Sequence, residues 1–335
     1  MAAMKNLELI VPFCIPPAGL EKDLLKAMQT PSLAKLIAAS SPSMRLVTDE
    51  FSNALAHEYL IADEGEQIDF STSPTRTWNV MQGFQLAPQE GCWFTLQPVH
   101  IHLARDHLVL MDQRQLRLTE VESRQLFAIA KNACDEFQLE LIYGDLNTWF
   151  LRADAWSELK TATVDATCGH NIEIWMARGE QARAWRKLQN EIQMLWFDHP
   201  INLERDIHGL STVNSVWLSC GSSKPLKHPK SMTTHHNAKE LLTKVSSNQN
   251  CAALVDILVG SAMNSDWAYW LENIHRLEHE WISPLLDAVK QKQIDQLSLI
   301  CTDARQVWQF NITPWALRKF WIKPSLSKLF SIKAQ

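Results

Sequence analysis

"AALVDILVG" (residues 252–260) and "LSLICT" (297–302) are short apolar runs of the kind a buried strand shows, and residues of about 265–292 between them have helical spacing. Strand, helix and strand in this order form the unit of a parallel sheet. "LELIVPF" (7–13) is a third such run, broken by Pro16, Pro17 and Gly19. LEKDLLKAM then returns to helical spacing, and Thr30-Pro31 opens the helix SLAKLIAAS with Pro31 suited to its first turn. "QVWQFNI" (306–312) adds a further strand. The two ends of the chain therefore predict an α/β protein with a largely parallel sheet between helices.

The middle breaks that rhythm. Residues 40–50 read as a Ser- and Pro-rich loop, 51–60 as helix and 61–90 as a polar connection. "WFTLQPVHIHLARDHLVLMD" (93–112) reads as a hairpin, and "LELIYGDLNTWFLRA" (139–153) as two short strands around Gly144-Asp145. Between them, Thr119 followed by Glu122 has the spacing of a capping box ahead of a long amphipathic helix. Residues 178–197 give the strongest helix, ended by His199-Pro200. "STVNSVWLSCGSSKP" (211–225) reads as a buried strand running into a loop, and 222–237 as a linker. The expected organisation is an α/β core of 1–55 and 185–320, an inserted cap-like α+β region with hairpins over 56–184, and a basic tail over 321–335.

Composition narrows the function classes. A net charge of −5 gives no general attraction to nucleic acid, so no nucleic-acid partner is expected. No run approaches the roughly 18 apolar residues of a membrane span. The N-terminal apolar run has a single Lys before it and two prolines behind it, the pattern of a buried strand rather than a signal peptide. Seven dispersed cysteines without a C-x-x-C pair suit reduced thiols in a cytoplasmic protein. Neither a P-loop nor G-x-G-x-x-G is present, and no cofactor is expected. Residues 304–335 carry six Lys or Arg and no acid, with Trp315, Phe320, Trp321 and Phe330 interleaved; a terminal helix packing its aromatics is the favoured account.

Three groups of residues could carry chemistry. His100 and His102, two apart on a strand, aim both rings at one face about 6.5–7 Å apart, with Asp106 and His107 across a turn. Three readings compete: a polar pocket for a small, anionic ligand, a metal site on His100, His102 and His107, and a hairpin whose histidines are structural. The second group is "LQNEIQMLWFDHPIN" (188–202), whose amides and Glu191 cannot all face water if Leu188, Ile192 and Leu195 are buried; His199 and Asn202 leave its end. The third is Asn214 with the Ser- and Gly-rich end of the 213–225 strand. The expected ligand-binding set is His100, His102, Asp106 and His107 from one side, with Glu191, His199, Asn202 and Asn214 from the other.

The segments "LELIVPF…MQTPSLAKLIAAS", "VNSVWLSCGSSKP" and "LVDILVG…LSLICTDAR" together resemble cofactor-independent phosphoglycerate mutases of the alkaline-phosphatase superfamily. That resemblance implies an alkaline-phosphatase-like fold and two divalent ions that activate a hydroxyl and stabilise the transferring phosphoryl group. The ligand positions it implies are changed. The first strand runs into Pro12-Phe13-Cys14 rather than Asp, and the last into Thr302-Asp303-Ala304 rather than Asp-His. Ser261, Ala262 and Asn264 stand where an Asp and a His are implied, with Asp266 nearby. Through "PVHIHLARDHLVL", "LQNEIQMLWFDHPIN" and "VNSVWLS" the chain also resembles a proteobacterial family described as RpfE-type regulatory or phosphoglycerate mutase-like proteins.

The leading expectation is a mutase-like protein without the two-metal site, acting as a regulatory or ligand-sensing protein for a small molecule, phosphorylated or not. One alternative is a metal-dependent mutase-like isomerase or phosphohydrolase whose site has moved to the histidines. Another is an interaction module for a protein partner.

Overall fold

The computed structural model describes residues 5–62, 67–227, 237–245, 251–319 and 321–331. The strands in chain order are β1 (Asn6–Val11), β2 (Pro42–Val47), β3 (Trp93–Val99), β4 (Ile101–Ala104), β5 (His107–Leu110) and β6 (Glu140–Asp145). They continue with β7 (Thr148–Arg152), β8 (Ser215–Ser222), β9 (Cys251–Leu254), β10 (Gln296–Thr302) and β11 (Gln306–Ile312). The chain divides into two compact units, Met1–Thr48 with Lys230–Gln335, and Asp49–Pro229.

The first unit holds a five-stranded sheet in the order β2-β11-β10-β1-β9. β1 runs parallel to both β9 and β10, so the three apolar runs named first in the sequence form its parallel half. Leu9, Ile10, Leu297, Leu299 and Ile300 are buried because helices cover this half and leave no strand face in water. The other half is antiparallel: β11 returns beside β10, and β2 lies beside β11. β2 was expected to be loop; its Pro42 and Ser43 sit at an edge, where a missing N–H costs no ladder bond.

The helix Pro31–Ala39 has Pro31 at its first turn, as its sequence predicts. The N–H groups of Ser32 and Leu33 donate to the buried Glu278 carboxylate at 2.6 and 3.0 Å. That carboxylate satisfies two orphan donors and meets the positive end of the helix. The expected long helix is Trp267–Leu277, a π turn over Glu278–Ile282, and Ser283–Lys290. The basic C-terminal segment packs Leu326 and Leu329 into the core, while Trp315 and Trp321 are exposed. The expectation that aromatics would anchor it is thus corrected for those two.

The second unit is built on an antiparallel sheet, β6-β7-β3-β8, with β4 and β5 forming a small hairpin. β8 pairs with β3, so this strand belongs to the antiparallel sheet of the second unit and not to the α/β core expected for it. The capping box forms as read: Thr119 Oγ1 accepts from Glu122 N, and Glu122 accepts from Thr119 N. The helices Glu120–Glu136 and Ala182–Phe197 bury Leu126, Leu188, Ile192 and Trp196 against Phe94, Leu96, Trp149 and Leu218. Strand periodicity then puts Trp93, Thr95 and Gln97 on the opposite face. The short helix Thr77–Gly83, inside the stretch expected to be connection, packs Met81 there against Trp93 and Phe150. Polar side chains are left on the remainder of that face.

Candidate functional site

All eight residues expected to bind a ligand belong to the second unit. His100 lies in the break between β3 and β4, with Nδ1 2.8 Å from the Thr212 carbonyl oxygen. Burial pushes its pKa down, the Thr212 contact opposing. The ring of His102 stacks on it at 5.9 Å between centroids but is exposed, as is Asp106. Asp106 pairs with His107 at 2.9 Å on the outer turn.

The other four do structural work or face water. Asn214 exchanges hydrogen bonds with the backbone of Ile101, accepting at 2.8 Å and donating at 2.7 Å. Asn202 is buried, donates to the Trp196 and Val213 carbonyls and accepts from Val213 N. His199 caps the helix Pro200–Ile207 by accepting from Ile201 N, and Glu191 is exposed. The hairpin therefore meets 212–214 through His100 and Ile101, by bonds that order the backbone. Among the described residues, no three His, Cys, Asp or Glu side chains are grouped as metal ligands would be.

The polar chemistry of this unit lies elsewhere, in a cavity of about 270 Å³ on the sheet face away from the two long helices. Its floor includes Thr95, Gln97 and Ser219, which follow from strand alternation. Its charged walls are Glu58, Arg76, Arg114 and Asp165, none of them in the expected set. Thr163 accepts from Ala166 N and so caps the turn Val164–Thr167 that carries Asp165. Asp112, fully buried, caps the short turn Gln113–Gln115 and accepts from Arg114 N at 3.0 Å.

Two ion pairs of unequal quality face this cavity. Arg114 grips Asp165 with a fork at 3.0 and 2.6 Å and also reaches Asp112 at 2.7 Å. Glu58 is fixed through Oε2, which accepts from Leu55 N at 2.9 Å and from Thr163 Oγ1 at 2.6 Å. Its other oxygen is 3.5 Å from Arg76 Nη2, a looser contact. Burial pushes the Asp165 carboxyl up to about 6; Arg114 pulls it down and the like charge of Glu58 adds to the rise.

Cys220 borders the same cavity in the left-handed region at φ 57°, held by Ser73 Oγ on its N–H and Thr77 Oγ1 on its carbonyl. Burial raises its thiol pKa, so it is no ready thiolate. The adjacent Gly221 belongs to the Ser- and Gly-rich strand end that the sequence marks out. Its actual constraint is the Phe94 ring, which a Cβ would meet inside contact distance.

In the first unit, a larger cavity of about 590 Å³ opens at the carboxyl ends of β1 and β10, the usual ligand edge of a parallel sheet. Phe13, Ile15, Pro17 and Trp267 make much of its wall. Asp303 accepts from Arg305 N and Gln306 N, both at 2.8 Å, and thereby makes the turn from β10 into β11. Phe13 accepts through its carbonyl from Trp270 Nε1 at 3.0 Å.

No charged residue of the second-unit cavity stood out in the sequence, because each is an isolated acid or Arg in a different helix, turn or loop. The weak signal was a density of hydroxyls around them, as in Thr161, Thr163 and Thr167.

Neither the protein-family models nor the curated proteins include a match to this chain. Among solved structures, it is similar to PH0037 protein from Pyrococcus horikoshii, at 12% identity over 93% of this chain and 88% of that one, with a TM-score of 0.58. It is also similar to a cofactor-independent phosphoglycerate mutase from Thermoplasma acidophilum, at 11% identity over 99% of this chain and 95% of that one, with a TM-score of 0.47. The first likeness shows a shared fold alone, and the second is too loose to carry weight.

Proposed function

We propose that the chain is a mutase-like protein without two-metal catalysis, and that it works as a small-molecule binding protein of regulatory or sensing type. Its binding site is the polar cavity of the 49–229 unit. The observation that carries this reading is the meeting of Arg76, Arg114, Glu58 and Asp165 around one cavity, since polar groups that converge in a concave site can fix and orient a small molecule. The mutase-like part rests on the order of the resembling segments. The loss of metal chemistry rests on Phe13 and Asp303, which stand at the implied ligand positions and have backbone roles there.

Thermal unfolding of the full chain against a metabolite panel, in wild type and Arg76→Gln, tests the reading. The panel holds phosphorylated acids, polyols and amino acids, each with and without Mn²⁺. At least one compound is expected to raise the Tm independently of Mn²⁺, and Arg76→Gln is expected to remove that rise. A rise that survives Arg76→Gln, or none across the panel, overturns the binding site. Mn²⁺-dependent conversion of phosphoglycerates overturns the absence of metal catalysis.

A further inference from the structure

We propose that this cavity takes a small zwitterion of the α-amino-acid class, its carboxylate on Arg76 and its ammonium beside Asp165 and Glu58. The inference rests on the cavity being the binding site and names what fits it.

Charge inventory decides between ligand classes. At the cavity Arg76 is paired with Glu58 and Arg114 with Asp165, and Arg114 also holds Asp112. Two cations against three carboxylates leave no surplus of positive charge for a dianion such as a phosphate monoester. Such an anion would have to draw both guanidinium groups from their partners and would leave carboxylates beside it without their cations. A ligand carrying both signs pairs with each wall and leaves the sum unchanged.

The unequal ion pairs say which wall takes which end. Arg114 is committed to Asp165 and Asp112 by contacts of 2.6–3.0 Å. Arg76 meets its carboxylate only at 3.5 Å, and a guanidinium has five donors in a fork that fits a planar carboxylate. The ligand carboxylate therefore belongs on Arg76.

The ammonium belongs beside the second pair. Asp165 faces Arg114, Glu58, His57 and Asp112, with Arg76 and Cys168 also in its field. Burial and the Glu58 charge make its ionised form uncomfortable despite Arg114. A second cation beside it relieves that excess. The volume of about 270 Å³ is below that of drug-sized sites, and the floor of Thr95, Gln97 and Ser219 suits a short polar side chain.

Isothermal titration and thermal shift on the full chain test the inference, with the free α-amino acids, their N-acetyl derivatives, their amides and inorganic phosphate as probes. A small polar amino acid is expected to bind, and its N-acetyl and amide forms to fail. Arg76→Lys is expected to weaken binding by about tenfold or more, because it keeps the charge and loses the fork. Affinity is expected to fall as pH drops from 7.5 to 5, and this fall is expected to be absent in Asp165→Asn. Binding of phosphate or phosphorylated acids with no response to amino acids overturns the zwitterion while leaving the cavity as a binding site. Equal binding of the N-acetyl or amide forms also overturns it. Amino-acid binding untouched by both Arg76→Lys and Asp165→Asn overturns the site as well.

Discussion

The two units use their carboxylates differently. In the first, both oxygens of the buried Glu278 close a helix end, and Oδ1 of Asp303 holds a turn, so both carboxylates serve the backbone. In the second, carboxylates that take a backbone N–H also pair with side chains, Asp112 with Arg114, Glu58 with Arg76 and Glu122 with Arg205, and Asp165 pairs with Arg114. A carboxylate such as Glu278, whose two oxygens both take backbone N–H groups, has little left for a ligand. Glu58, by contrast, gives only Oε2 to Leu55 N and keeps Oε1 for a side chain. Side-chain pairs at a cavity wall can exchange partners. The unit with the parallel sheet and the expected ligand edge is thus the chemically quieter one, and the antiparallel unit carries the candidate site. Location by fold analogy and location by local chemistry give different answers here, and the local chemistry is the firmer guide.

The largest expected effect falls on Arg205, whose side chain is 1% exposed. Its guanidinium donates to Glu122 Oε1 at 2.8 Å, to the Ser211 carbonyl at 2.8 Å and to the Leu116 carbonyl. Arg205→Ala leaves those acceptors without this donor and should cost about 3–5 kcal/mol. Hydrogen exchange read peptide by peptide checks where the loss falls. Protection should drop in the helix Glu120–Glu136 and in β8. If β1 and β10 lose as much, the contrast between the units fails, because both then unfold as one cooperative body.

Much of the fold was legible because it rests on local signals. Pro31 at a helix start, the Thr119–Glu122 capping box and the apolar runs of β1 and β10 all specify structure within a few residues. Sheet membership was not legible. The run 215–222 is apolar and buried in either sheet, and only its pairing with β3 assigns it to the antiparallel unit. β2 and the helix Thr77–Gly83 were missed because neither shows a clean period; each is held by tertiary partners. The same reason hid the site. Arg76, Arg114 and Asp165 come from separate segments, and nothing in their spacing announces that they converge.

A smaller effect separates the pairs by pH. Asp165 titrates at about 6 in the folded protein against a usual 3.8, so the folded state holds this proton more tightly than the unfolded state does. Between those values stability rises as pH falls, and the ionised form at neutral pH is the strained one. Wild type measured against Asp165→Asn should therefore gain by roughly 1–3 kcal/mol on acidification from pH 7 to pH 4.5. Denaturant unfolding at both pH values gives the difference, in which the other carboxylates cancel. A difference that is flat or of opposite sign would mean that Arg114 dominates Asp165, and the wall could not favour a second cation.

The smallest effect is expected where the sequence drew most attention. His102 stacks on His100 with the rings 15° from parallel, but its ring is exposed, and the hairpin register is kept by Asn214 on Ile101 and by the β4–β5 ladder. His102→Ala should change stability by no more than about 0.5 kcal/mol. It should also leave any ligand-induced rise in Tm intact, since none of the hairpin histidines lines the charged cavity. Both readings come from one thermal-shift series beside Arg76→Gln. Loss of the ligand response in His102→Ala, with stability unchanged, would return the binding site to the hairpin. The internal pairs of the cavity would then be scaffolding, like the carboxylates of the first unit.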